Sequence, residues 1–274
     1  MYRQRGFTLI ELLIVIAIIA VLMSILMPAL NKAKLQAQDA VDKNNQHQFG
    51  LIWRYYTDDH DGYFPERGTG YGPYDDNGDL LLKMVRWEMC LIDYMPNLDR
   101  QIIFCPAATK PVDEGGRCPY AAWPVDLATE LGGGKIRGSY TVNLWAAREN
   151  QQPAAADAGK FWQTMSVRGS AYAPILMCGN WKDCAPEPTD VPWLTREDMV
   201  RDCWEQSRNE MKRVCQDRHG WFVNANFMDL SARKVGLKEL WVVKWHQKWP
   251  KDLNDLPTDW DDPGHWMYNC PDPF

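Results

Sequence analysis

A chain of 274 residues is long enough to bury a substantial core in one or two domains. Its formal charge of −6, with no long basic run, lacks the electrostatic footprint of a nucleic-acid binder. Eight cysteines and fourteen tryptophans are the compositional excesses.

The first element is an apolar run from Phe7 to Leu30, interrupted only by Thr8, Glu11, Ser24 and Pro28. About 20 such residues span a bilayer as a helix. Arg3 and Arg5 precede the run and favour a cytoplasmic N-terminus, although Lys32 and Lys34 follow it. A secretory signal would carry a shorter apolar stretch and a small-residue cleavage site behind it. Here the small residue, Gly6, stands in front, so cleavage there keeps the run in the mature protein. Glu11 is the anomaly, since a carboxylate at the centre of a membrane helix costs roughly 2.5–3.5 kcal/mol.

The stretch Gly6-Phe7-Thr8-Leu9-Ile10-Glu11 resembles the cleavage and methylation site of type IV prepilins and type II secretion pseudopilins. The resemblance implies cutting after Gly6 by a prepilin peptidase and methylation of the new amine on Phe7. It also implies assembly roles for Glu11 and for Pro28, the helix-kinking proline. In a filament Glu11 of one subunit would meet the Phe7 amine of a neighbour. A mismatched register would strand both charges in the low-dielectric core, so the pair would fix how subunits stack. Glu11 could equally neutralise its own N-terminus before assembly.

Beyond Pro28 the helix is expected to continue to about Asp58, some 75 Å in all at about 1.5 Å per residue. Its apolar stripe is read as Leu30, Ala33, Ala37, Val41, Phe49, Ile52 and Tyr56, interrupted by Asn44 and Asn45. Asp61-Gly62 and Pro65 supply the stop. The expected organisation is a leader (1–6), a transmembrane or filament-core helix (7–30), its amphipathic continuation (31–58) and a globular head (59–274). The stretch Tyr56-x-x-Asp59-x-x-Gly62-x-Phe64-Pro65 resembles a turn recurrent in one pseudopilin-like group. Turn formation and capping are its favoured role; Asp58, Asp59 and Asp61 are also weak calcium candidates, as are Asp259, Asp261 and Asp262. The EF-hand-like start at Asp75, Asn77 and Asp79 fails, with Leu80 and Arg86 at the glycine and glutamate positions.

In the head, strands are expected at Gln101–Phe104, Gly138–Asn143, Pro174–Cys178, Trp221–Met228 and Ala232–Val235. Helices are expected at Asp79–Asp93, at Thr195–Val214, and at Leu237–Trp249, where Leu237, Trp241, Trp245 and Trp249 repeat every four as a core stripe. The fold class is α+β: a long kinked N-terminal helix on a mainly antiparallel, loop-rich head. Cys90, Cys105, Cys118, Cys178, Cys184, Cys203, Cys215 and Cys270 are read as up to four disulfides in an oxidising compartment. Zinc is the weaker alternative, because no C-x-x-C pair exists. His219 and Asp229 have the spacing of a His-x9-Asp-Gly motif that one prepilin-like group carries, with Leu230 in place of the glycine. Phe104-Cys105-Pro106 and Ser139–Asn143 resemble the same group's middle section. A His219–Asp229 hydrogen bond fixing a hairpin is the expected role.

These readings point to a structural subunit rather than an enzyme, with no catalytic constellation and no cofactor beyond the calcium option. It would be single-pass in the inner membrane, with its head periplasmic or extracellular, in a type II secretion pseudopilus or type IV pilus-like filament. Its partners would be copies of itself, other pilins or pseudopilins, the peptidase, the assembly platform and the membrane, with no nucleic acid. The alternative is an anchored module displaying a tryptophan-rich head to a polysaccharide or secreted substrate.

Overall fold

The computed structural model describes residues 8–66, 87–95, 102–126, 135–149, 156–202, 209–250 and 259–272. Helix α1 (Leu9–Asp59) runs without interruption through Pro28, and Thr8 is its N-cap. It ends where the sequence predicts. Gly62 takes φ 84° and returns its N–H to the Thr57 carbonyl at 2.7 Å. His60 stacks on Tyr56, and the chain then enters the head with Phe64 donating its N–H to Gln163.

The head is built on a five-stranded sheet whose strands are β4 (Tyr140–Asn143), β5 (Pro174–Cys178), β6 (Asp183–Cys184), β7 (Phe222–Phe227) and β8 (Ala232–Gly236). Their spatial order is β6-β4-β5-β7-β8, antiparallel throughout except for the β4–β6 pair. A smaller sheet joins β1 (Lys110–Pro111), β2 (Ala121–Asp126) and β3 (Lys135–Gly138). The second half of α1 lies across β7, β5 and β8. Because helix covers one face and loops the other, every position of β5 is buried, as is all of β7 after Phe222. Gly50 permits the close approach: a Cβ there would lie 2.6 Å from the Asn226 amide of β7.

Four expectations need correction. First, Gln101–Phe104 is not a strand where it is described; residues 102–104 form a turn and bend. Second, Leu237–Trp249 forms only a 3-10 turn at Lys238–Trp241 followed by irregular chain. Its stripe is nonetheless core, with Leu237, Trp241, Trp245 and Trp249 all buried. Here the period of four reflects indoles that each need an acceptor. The indole N–H of Trp241 reaches the Asp190 carbonyl, that of Trp245 reaches Leu240, and that of Trp249 reaches Trp241. Thr195–Val214 contributes α3 (Arg196–Arg201) and a 3-10 turn at Glu210–Arg213. Asp79–Asp93 contributes a short helix, α2 (Trp87–Cys90); residues 67–86, with the Asp75–Arg86 stretch, lie outside the described residues.

Third, the buried face of α1 is not the apolar stripe over its whole length. Leu30, Ala33, Ala37 and Val41 are exposed; the face on the head is Asp39, Asp42, Asn45 and Gln46, then Phe49, Trp53 and Tyr56. The spacing is helical, but the first half of the stripe is polar. Fourth, Cys90, Cys105, Cys178, Cys184, Cys215 and Cys270 are free thiols. Four disulfides therefore do not form in this fold. Cys118 is disulfide-bonded, and Cys203 lies outside the described residues. At Cys184, Cys215 and Cys178 burial is the largest of the causes that push thiol ionisation up, with nearby charges and thiols adding to it.

Candidate functional sites: a bare apolar helix and a buried Asp–Cys–Cys–His cluster

Two parts of the molecule are arranged for something other than packing their own chain. The first is the leading half of α1. From Leu9 to Leu35 every residue is exposed, including Leu9, Ile10, Leu12, Leu13, Ile14, Val15, Ile16, Ile18 and Ile19. Among the described residues this is the one helix long and apolar enough to cross a membrane. An apolar face of this size has to be covered by lipid or by other chains.

Glu11 is not unpartnered at the helix start. Its carboxylate accepts from the Thr8 N–H at 2.9 Å and the Thr8 hydroxyl at 2.8 Å, while Thr8 Oγ1 accepts the Glu11 N–H at 3.3 Å. This reciprocal capping box satisfies two orphan donors of the first turn. The Thr-x-x-Glu spacing announces it in the sequence, and the reading of Glu11 as a lone charge passed over that signal. Gly6 and Phe7 lie outside the described residues. Pro28 has no N–H to offer the Ser24 carbonyl, yet the helix continues on both sides of it.

The second part is a cluster at the α1–sheet contact. Asp42 comes from α1, Cys105 from the loop before β1, Cys178 from the end of β5, and His219 from the loop before β7. One ligand-type atom from each lies within 4.8 Å of all the others. His219 Nε2 is 3.3 Å from Asp42 Oδ2, 3.3 Å from Cys105 Sγ and 3.5 Å from Cys178 Sγ. The Cys178 thiol donates to Asp42 Oδ2 at 3.0 Å. Around this set, Tyr140 donates its hydroxyl to Asp42 Oδ1 at 2.6 Å, and Asn224 donates to Asp42 Oδ2 at 2.6 Å. The Gln46 amide bridges the Asn224 carbonyl and Cys178 Sγ, and the Ser139 hydroxyl accepts the Cys105 N–H at 2.6 Å.

Asp42, Cys105 and Cys178 are fully buried. Burial pushes the Asp42 carboxyl up, but hydrogen bonds from His219, Tyr140 and Cys178 and the His219 charge outweigh it and hold the carboxyl below its ordinary range. Burial likewise opposes charge on His219, and the adjoining Asp42 and Cys105 overcome it, raising the imidazole to about 9. Cys105, against the same penalty, is brought down to about 6 by Cys178 and His219. Cys178 goes the other way, pushed up by burial, by its bond to Cys105 and by the Asp42 charge. The cluster is thus polar and charge-bearing inside a core of aromatic and aliphatic side chains.

His219 and Asp229 do not meet. They stand at opposite ends of the six-residue strand β7, about 20 Å apart at a strand's rise. Asp229 instead closes the β7–β8 turn by accepting from the Ser231 N–H and hydroxyl. Leu230 occupies φ 69°, the conformation that the glycine of the His-x9-Asp-Gly pattern would adopt without strain. The acidic runs do not gather either. Asp58 pairs with Arg54 along the helix, Asp59 accepts from the Tyr94 hydroxyl, and Asp262 caps Gly264. Asp61 closes the turn at φ 54°, and Asp261 lies 3.9 Å from Lys238. Asp259 opens a 3-10 turn. Among the described residues the one group of histidine, cysteine and carboxylate atoms close enough to share an ion is the Asp42 cluster. Sequence spacing could not show it, because its members are separated by 63, 73 and 41 residues of chain.

Residues 1–27 match the family model described as the prokaryotic N-terminal methylation motif. No curated protein and no solved structure matches the chain. With a methylation motif at its start, a bare apolar helix behind it and an α+β head, the chain is similar to precursors of the type IV pilin and pseudopilin kind, the sequence match lying in its first 27 residues.

Proposed function

We propose that this protein is a structural subunit of a pilus-like filament, either a type II secretion pseudopilus or a type IV pilus. A prepilin peptidase processes it after Gly6, and it polymerises through the leading half of α1. In the membrane it is single-pass, with its N-terminus cytoplasmic and its head on the far side, and an inner-membrane assembly platform draws it into the filament. The observation that carries this reading is that residues 9–30 present apolar surface all round the helix with none of it covered by the described residues of the chain's own head. A helix that is hydrophobic all round belongs in lipid or in the core of an assembly.

The Thr8–Glu11 capping box supports a role for Glu11 in the exchange between those two settings. Before assembly the carboxylate folds back on the first turn, one residue from where cleavage creates the Phe7 amine. In the filament it is free to turn to the amine of a neighbouring subunit. In this reading the role is structural rather than catalytic: three of the four residues of the reactive-looking cluster are fully buried and the His219 side chain is only 5% exposed. The tryptophan-display alternative loses its support, since ten of the thirteen described tryptophans are buried and the other three are only partly exposed.

The test is co-expression of wild-type chain with Glu11→Val and, separately, Gly6→Leu, followed by shearing and quantifying each in the filament fraction. The proposal expects Glu11→Val in the membrane but depleted from filaments, and Gly6→Leu unprocessed. Filaments that contain Glu11→Val at wild-type yield would contradict the pairing role.

A further inference from the structure

We propose that Asp42, Cys105, Cys178 and His219 form a structural zinc site that pins the α1 helix to the head. The argument begins with a donor count. His219 Nε2 can carry one proton at most, yet it lies 3.3, 3.3 and 3.5 Å from three groups that would accept it. Asp42 Oδ2 is likewise approached by Cys178, His219 and Asn224 at once. One proton on Nε2 cannot serve all three neighbours at full strength, whereas a cation at the centre would be bound by all four ligands together.

The distances are close to those of a tetrahedron around zinc. Bonds of about 2.3 Å to sulfur and about 2.0–2.2 Å to nitrogen and oxygen set ligand–ligand edges of about 3.3–3.8 Å. Four of the six edges are 3.3, 3.3, 3.5 and 3.0 Å, three of them in that range and the Cys178–Asp42 edge shorter by about 0.3 Å, and all six are within 4.8 Å. Two thiolates, an imidazole and a carboxylate select zinc over calcium or magnesium, which prefer oxygen alone. Four protein ligands in a buried setting leave no open coordination position, so the site is structural.

The surroundings fit the same ion. Ligating carboxylates need outer partners that fix their orientation, and Asp42 has Tyr140 on one oxygen and Asn224 on the other. Zinc with two thiolates and a carboxylate carries a net charge of −1. Arg218 is buried beside it, donating to the carbonyls of Ser139 and Ala121 at 2.8 Å and to Pro119, and no carboxylate among the described residues pairs with it. Its charge has the sign and the burial to balance the site. Because the four ligands come from the helix, two loops and the sheet, one ion would lock the element that anchors the subunit to the domain it carries.

The experiment uses the full chain purified in detergent without chelator, from zinc-replete cells. Elemental analysis should find about one zinc per chain. Asp42→Ala, Cys105→Ala, Cys178→Ala and His219→Ala should each lower it at least tenfold, while Cys184→Ala, a buried thiol elsewhere, should keep it. Since core variants may unfold, the wild-type chain is also exchanged with cobalt. Tetrahedral d–d bands and a thiolate-to-cobalt charge-transfer band are expected, with both bands lost on chelation. Substoichiometric zinc in wild type together with a Cys105–Cys178 disulfide in peptide mapping would overturn the site. So would a cobalt spectrum without thiolate charge transfer, or stoichiometric zinc that survives in all four variants.

Discussion

The two halves of α1 reverse the usual relation between polarity and burial. Residues 9–35 are almost wholly apolar and almost wholly bare, whereas the face from Asp39 to Gln46 is polar and packed into the head. The first half is left unsatisfied by its own chain, and its stability is deferred to lipid or to neighbours. The second half is satisfied residue by residue: Asp39 and Asp42 by Asn224, Asn45 by the Phe104 carbonyl, Gln46 by the Asn224 carbonyl. Apolar packing is tolerant of sliding, but a set of buried hydrogen bonds is not. The head is therefore fixed at one height on a helix whose exposed half, under the proposed function, keeps register with other copies.

Removing the polar contact should have the largest effect. Asp42→Ala strips the partner from Tyr140, Asn224, Cys178 and His219 at once, and a loss of about 3–5 kcal/mol is expected in a denaturant titration of the detergent-solubilised chain. A loss below about 1 kcal/mol would mean that the polar face is incidental. Gly50→Ala should cost about 1–2 kcal/mol, the overpacking against Asn226 exceeding the gain in helix propensity. Adding Asn226→Ala should recover part of that cost, a coupling that a double-mutant cycle would read directly.

Acid should act on the same half. Asp39, Asp42 and Glu187 all ionise below their ordinary range. In each, burial pulls the other way and is outweighed, by Lys43 and Asn224, by His219 and Tyr140, and by His246 and Lys160 respectively. A carboxyl depressed in the folded state stabilises it fully above the unfolded values, here 3.8 and 4.5, and that contribution is lost as pH falls from them through the lower folded values. Asp190, raised by burial, works in the opposite sense and softens the loss. The urea midpoint should drop below about pH 5, the window in which the carboxyls titrate; a midpoint that rises between about pH 5 and about pH 3 would contradict this balance. The smallest effect belongs to the bare half: Ile19→Ala should leave head stability unchanged within about 0.5 kcal/mol, because its side chain touches none of the head.

The sequence made the bare half easy to read and the packed half hard. Gly6, Phe7, Glu11 and Pro28 lie in one short run, and a long apolar stretch needs no tertiary information to be recognised. Strand β5 was legible for the same reason, being a short apolar run, while β7 and β8 were legible as a pair of short runs on either side of the Asp229–Ser231 turn. The polar face from Asp39 to Gln46 was invisible because hydropathy assigns such residues to solvent. The cysteines misled because an even count beyond a membrane segment suggests pairing, whereas here six are outside any disulfide, five of them buried, and two of those face a histidine brought from far along the chain. His219 was singled out for the right residue and the wrong partner, since nothing in a spacing of ten shows that a strand separates it from Asp229.

The most direct test of the account is intact mass spectrometry of the chain recovered from native filaments or membranes. A polypeptide beginning at N-methylated Phe7, with residues 7–30 retained, is the predicted result. A chain that still begins at Met1, or one cut beyond the apolar run so that the bare half of α1 is missing, would contradict it.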